Sequence, residues 1–216
     1  SMKEQLVGRV VEQQLLESYL QSSRSEFIAV YGRRRVGKTF LIRHVIGDKA
    51  SFTISGMENV TTNDQLLNFK IALNRYGAIN QECTNWLEAF DLLITYLESL
   101  PDGNKIVFID EMPWMDTPSS RFVSSLEHFW NDWASARNDI KLIVCGSATS
   151  WMMDNLINNH GGLHNRVTHQ LLLEPFTLGE CREYFTRYGF GYSEREIVDC
   201  YMVLGGIPYY FSLMNS

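Results

Sequence analysis

Apolar side chains fall into two kinds of pattern along this chain. In Phe27-Ile28-Ala29-Val30-Tyr31, in Ile106-Val107-Phe108-Ile109 and in Ile140-Lys141-Leu142-Ile143-Val144-Cys145 they fill nearly every position. Such runs predict short strands covered on both faces, as in a parallel sheet. Ser51-Phe52-Thr53-Ile54-Ser55 and residues 167–173 predict two more strands, the last closed by Glu174-Pro175. Elsewhere the apolar spacing is three to four. Residues 4–20 carry Val11, Leu15, Leu16, Tyr19 and Leu20, and residues 84–99 carry Trp86, Phe90, Leu93, Ile94 and Leu97. Residues 119–136 carry Phe122, Val123, Leu126, Phe129, Trp130 and Trp133, a stripe that follows the helix period and so reads as core rather than as a base-stacking platform. Further helices are predicted over 40–46, 63–75, 177–188 and 193–204, with one starting near Thr149. Strands separated by helices in this way predict an α/β fold with a parallel sheet between helical layers.

One polar interruption changes the picture. Gly32-Arg33-Arg34-Arg35-Val36-Gly37-Lys38-Thr39 fits the phosphate-binding spacing G-x-x-x-x-G-K-[ST] at every fixed position, between a predicted strand and a helix that continues through Phe40. A triphosphate can be approached only where no side chain intervenes and backbone N–H groups point inward, which Gly32 and Gly37 permit. The free N–H groups and positive end of the following helix favour the anion. Lys38 supplies a mobile charge for the β- and γ-phosphates, and the Thr39 hydroxyl a ligand for a bridging magnesium ion. A Gly-rich turn with a chance lysine is the plain alternative, and it leaves the flanking strand and helix unexplained. Arg33, Arg34 and Arg35 can face phosphate, a partner subunit or water, and count as accessory.

Two acids end the run Lys105-Ile106-Val107-Phe108-Ile109-Asp110-Glu111. At the carboxyl end of a parallel strand they emerge where open α/β sheets bind ligands. Asp110 suits the magnesium ion, directly or through its waters, and Glu111 is placed to orient and deprotonate an attacking water. Ser147-Ala148-Thr149 follows another buried strand; a hydroxyl there can sit beside the γ-phosphate, or cap the next helix, or do both.

Composition narrows the classes. A chain of 216 residues with 45% hydrophobic content can bury one sizeable core and a small second lobe. No apolar run approaches the length of a membrane span and the start lacks the apolar core of a secretory signal, so a soluble, cytoplasmic protein without a membrane partner is expected. A formal net charge of -6 gives no electrostatic footprint for nucleic acid. Cys83, Cys145, Cys181 and Cys200 have neither metal-ligand spacing nor disulfide-framework density and are expected to be free buried thiols. His160 and His164 lie in the polar, Gly-rich stretch 158–166, where no acid or cysteine joins them as a metal ligand. The expected division is a core over residues 1–174 and a helical lid segment over 175–216, whose apolar end reads as cut short.

Taken together, these motifs resemble the archaeal-type ATPase family within the AAA+/STAND group of phosphate-loop NTPases, also found in bacteria. The resemblance is carried by Val7-Gly8-Arg9, GRRRVGKT, VFIDEMPWM, LIVCGSATSWM, Leu163-His164-Asn165-Arg166, LLLEPFTLGE and GGIPYY, which span nearly the whole chain. It implies a three-layer αβα core with a five-stranded parallel sheet ordered 5-1-4-3-2, followed by a helical lid. It also implies that Val7, Gly8 and Arg9 lie near the adenine, that Pro208 and Tyr209 close from the lid side, and that Ser147 is the polar sensor. Arg166 would reach the γ-phosphate within the subunit or from a neighbour. The sequence departs from the family's usual G-R-E opening, with Val10 after Arg9 and Glu12 two residues further on.

The expected activity is magnesium-dependent hydrolysis of ATP to ADP and phosphate, coupled to a conformational change. No Asn-Lys-x-Asp guanine motif is present, since Asn104-Lys105-Ile106-Val107 lacks the acid. A small-molecule kinase is disfavoured because an acid beside Asp110 suits activation of water. A nucleotide-gated switch with negligible turnover shares the same pocket and stays open. So does an ATPase module that forms a homo-oligomer, or meets a protein or DNA partner through a further C-terminal domain, as the family implies.

Overall fold

Strand β1 (Glu26–Gly32) is an interior strand of the sheet, and both its sides are apolar: Phe27 and Ala29 enter one hydrophobic cluster, Ile28 and Val30 the other. The computed structural model describes residues 9–77, 81–158, 162–189 and 191–207; Val7, Gly8, His160, Pro208 and Tyr209 lie outside the described residues. β1 pairs in parallel with β4 (Ile140–Gly146) and β5 (His169–Leu173). β4 pairs with β3 (Lys105–Asp110), and β3 with β2 (Ala50–Ser55) at the edge. The order β2-β3-β4-β1-β5 is the expected 5-1-4-3-2 read from the opposite edge.

Parallel neighbours require crossover helices. α1 (Val10–Leu20) precedes β1 and α2 (Lys38–Ile46) follows it; α3 (Thr62–Arg75) and α4 (Trp86–Glu98) lie between β2 and β3, and α5 (Phe122–Asp132) between β3 and β4. Phe52, Val107, Ile109, Leu142 and Val144 pack with Phe69, Trp86, Phe90, Phe122 and Phe129 of α3, α4 and α5. On the other face Phe108, Ile143 and Cys145 pack with Leu16, Leu41 and Ile42 of α1 and α2. Burying each such side chain contributes about 1.5–3 kcal/mol. These two clusters therefore fix the carboxyl ends of the strands, where the site sits. Among the described residues no helix is long and apolar enough to cross a membrane.

Several boundaries differ from the sequence pattern for local reasons. The helix predicted over 119–136 begins at Phe122, after a left-handed Arg121, and stops at Asp132 before a 3-10 turn, Ala134–Ala136. The fifth strand begins at His169 because the Val167 N–H is spent on Leu163 O, closing a turn. After β4, α6 (Thr149–Met152) widens at once into a π-helical turn, Met153–Ile157. Cys145 and Cys181 are buried as expected, whereas Cys83 and Cys200 are only half-buried, and all are free. Beyond β5, α7 (Leu178–Tyr188) and α8 (Glu194–Leu204) bury Phe176, Cys181, Phe185 and Ile197 in a small cluster of their own.

Candidate nucleotide site

The loop between β1 and α2 is shaped by its glycines. Gly32, at φ 151°, abuts Leu173 O, where any Cβ would collide. Gly37 has open space around it but a φ of 100° as the residue capping α2, which an L side chain rarely adopts. Val36 is fully buried and anchors the loop, while Arg33, Arg34 and Arg35 are exposed, as is Phe40 in the first turn of α2. Lys38 is buried, and its Nζ donates to Gly32 O and Arg33 O, both at 2.8 Å. An ammonium has three N–H donors, so one remains for a ligand. Burial pushes the Lys38 pKa down, against the pull of nearby acidic groups that include Glu111 and Asp110.

Asp110 ends β3 and is almost fully buried. The Thr39 hydroxyl donates to its Oδ2 at 2.8 Å. The Glu111 N–H and the Cys145 thiol each donate to its Oδ1 at 2.8 Å. Burial, then the Asp110 carboxylate, pushes the Cys145 thiol well above its ordinary pKa. Hard oxygens of a hydroxyl and a carboxylate side by side suit magnesium, which keeps several waters and takes its other ligands from phosphate. Among the described residues no group of three His, Cys, Asp or Glu side chains could hold a metal ion. A cleft lined by Arg43, Thr53, Ser55, Asn68 and Arg75 opens beside β2 and reaches Asp110.

Glu111 has φ 48°, a left-handed conformation that costs a non-glycine residue roughly 1–2 kcal/mol. Its neighbours hold it there. The Gly56 N–H donates to Asp110 O at 2.9 Å, and Gly56 leaves no room for a Cβ against Glu111 O. Gly146, at the end of β4, admits Pro113 of the 3-10 turn Met112–Met115, which follows Glu111, with equal closeness. The chain ends of β2 and β4 thus close on the turn from both sides. Ser147 donates to Glu111 Oε1 at 3.3 Å. Its alternative use as a helix cap is not realised: α6 is capped by Ala148, with no side-chain bond.

Arg9 ties this site to the chain beyond β5. Its Nη2 donates to Val36 O at 3.1 Å, its guanidinium lies over the Phe176 ring, and its N–H donates to Glu180 Oε2 at 3.1 Å. Glu180 also accepts the Thr177 N–H, completing a capping box at the start of α7. Burial lowers the Arg9 pKa, opposed by Glu180, Glu12 and Glu174. Arg166 stands apart: among the described residues its ion-pair partner is Glu127 of α5, at 3.6 Å, and its Nε has no hydrogen-bond partner.

The fold therefore gathers Gly32, Lys38, Thr39, Asp110, Glu111 and Ser147, joins Arg9 to them through Val36, and leaves Arg166 on the α5 side. Sequence reasoning missed Cys145, Gly56, Gly146 and the Arg9–Glu180 contact. For Cys145 a signal existed, as the last apolar position of a strand beside the one carrying Asp110.

The chain is similar to known proteins. The model of a family described as an ATPase domain predominantly from Archaea matches residues 6–214. An uncharacterised protein of Methanocaldococcus jannaschii, MJECL04, is 28% identical over 205 residues, covering 94% of this chain and 43% of that protein. The chain thus spans less than half the length of this relative. The Walker-type ATPase PABY2304 of Pyrococcus abyssi superposes with a TM-score of 0.70 at 19% identity, over 95% of this chain and 65% of that one. The ORC2 protein of Aeropyrum pernix, solved as ADPNP–ADP complexes, gives 0.59 at 15% identity, over 90% and 56%. At such identities the superpositions speak to the fold.

Proposed function

Since the chain belongs to the family of ATPase domains found predominantly in Archaea, we propose that it binds magnesium ATP on the Gly32–Thr39 loop and hydrolyses it to ADP and phosphate. The observation that carries this reading is that Thr39, in the first turn of α2, reaches Asp110 at the carboxyl end of β3, while Glu111 after it meets Ser147 just past the adjacent strand β4. Thr39 and Asp110 would hold the metal, which when bound offsets charge on the β- and γ-phosphates. Gly32 to Phe40 wraps the phosphates and Lys38 gives its third donor to them. Glu111 accepts a proton from the attacking water, with Ser147 fixing its Oε1. Residues from 175 onward act as a lid, with Val7, Gly8, Arg9 and Pro208 at the adenine. Arg166 exchanges Glu127 for the γ-phosphate, within the chain or from a second copy. The ADPNP–ADP complexes in which the ORC2 protein was solved support an adenine nucleotide.

Calorimetry with Mg-ATP, followed by steady-state phosphate release, tests the proposal. Binding with turnover is expected, and absence of binding overturns it. A second reading, a nucleotide-gated switch with negligible turnover, is favoured by one observation: Arg9 holds the loop and the lid segment together. Wild-type turnover equal to that of Glu111→Gln would establish the switch.

A further inference from the structure

Asp110 has two carboxylate oxygens, and they are not equivalent. A carboxylate oxygen offers two lone-pair directions. Oδ1 accepts both the Glu111 N–H and the Cys145 S–H, each at 2.8 Å, so both of its directions are filled. Among the described residues Oδ2 accepts only the Thr39 hydroxyl, at 2.8 Å, which leaves one direction open. The χ2 torsion of an aspartate is broad and roughly two-fold, so the side chain alone does not choose which oxygen faces a ligand. Glu111 supplies its donor from the backbone of the next residue, which moves with Asp110. Cys145 supplies its donor from the adjacent strand β4, whose pairing with β3 reaches Ile109↔Val144 one residue earlier. The thiol is fully buried and backed by Ile143 and Phe108 on the α2 face of the sheet.

We propose that Cys145 is a positioning residue for the metal–nucleotide site: its thiol pins Asp110 Oδ1 and so presents Oδ2, beside Thr39, as the oxygen that meets the divalent cation or its water. The inference rests on the nucleotide-binding reading above and assigns the metal side of it a residue outside the phosphate loop and the acid pair. A purely apolar residue at 145 would fill the core equally well and leave Oδ1 half satisfied. A serine would keep a donor on a shorter arm.

The test compares Cys145→Ala, Cys145→Val and Cys145→Ser with the wild-type chain. Mn2+ binding in the presence of ADP is followed by electron paramagnetic resonance, and melting temperature is measured in parallel. A lost hydrogen bond to a charged group corresponds to weakening on the order of tenfold. The Ala and Val variants are expected to lose Mn2+ affinity by about that factor, and Ser to recover most of it. Ala and Val variants that melt earlier yet bind Mn2+ as tightly as wild type would reduce Cys145 to packing and overturn the proposal, as would a Ser variant as weak as Ala. Wild-type protein that binds neither Mn2+ nor ADP would instead overturn the nucleotide reading on which it rests.

Discussion

The guanidinium of Arg9 lies 4.8 Å from the centroid of the Phe176 ring, and the same group donates to Val36 O inside the phosphate-type loop. One side chain therefore touches the loop and the segment leading into α7. A desolvated cation–π contact and a charged hydrogen bond together are worth on the order of 2–4 kcal/mol. Arg9→Ala should lower the melting temperature by several degrees and speed amide exchange over 176–188 while leaving β1 and β3 protected. Arg9→Lys should not restore it, because an ammonium lacks the planar fork. Unchanged exchange in α7 would show that this tie is dispensable.

Replacing Glu111 by Gln keeps size and hydrogen-bonding shape but removes the base. ATP affinity should stay within a few fold and phosphate release should fall by roughly 10² or more. Lys38→Ala should instead abolish ATP binding, since it removes the one buried cation of the loop. Equal loss of binding in both variants would contradict the division of roles.

Glu111→Gly separates strain from chemistry. Glycine accepts φ near 48° without penalty, so folding should gain up to about 1 kcal/mol, visible in urea denaturation, although hydrolysis is lost. Destabilisation by more than that would mean the Ser147 contact outweighs the strain.

At the opposite end of the sheet, Asp139 accepts two hydrogen bonds from Arg137, at 2.8 and 2.9 Å, and one from Lys105 at 3.1 Å. Arg137 above all, then Lys105, lowers the Asp139 pKa from 3.8 to about 2. A carboxylate whose folded pKa lies below its unfolded value stabilises the fold above the unfolded pKa and loses that contribution as pH falls through the folded one. About 2 kcal/mol is therefore expected to disappear between roughly pH 4 and pH 2. Asp139→Asn should be less stable by about that amount at neutral pH and show a flatter acid limb in thermal melts.

Arg166 provides a test of assembly. If it serves a neighbouring copy's nucleotide, specific ATPase activity should rise with protein concentration and Arg166→Ala should remove the rise. A flat dependence in wild type, with activity still lost in the variant, would assign it to its own chain.

The strands were legible because burial on both faces leaves continuous apolar runs, and those runs lie within β1, β3 and β4. Helix ends were less so: periodicity gives no warning that Arg121 turns left-handed or that a 3-10 turn splits off at Ala134. In the site, Lys38, Thr39, Asp110 and Glu111 stand in contiguous motifs and could be read directly. The Cys145 thiol on Asp110 bridges 35 positions and the Arg9 link to Glu180 bridges 171, so neither leaves a local pattern. Strand order came from the resemblance to the ATPase family rather than from hydropathy, which does not number neighbours.

Gly32 rests directly against the carbonyl of Leu173, with no side chain to cushion the approach. Any shift of the loop's first peptide is thereby delivered to the last residue of β5, three positions before Phe176. On the proposed reading, a phosphate bound by the loop would be felt at β5 by simple steric pushing, backbone upon backbone, without a helix having to slide.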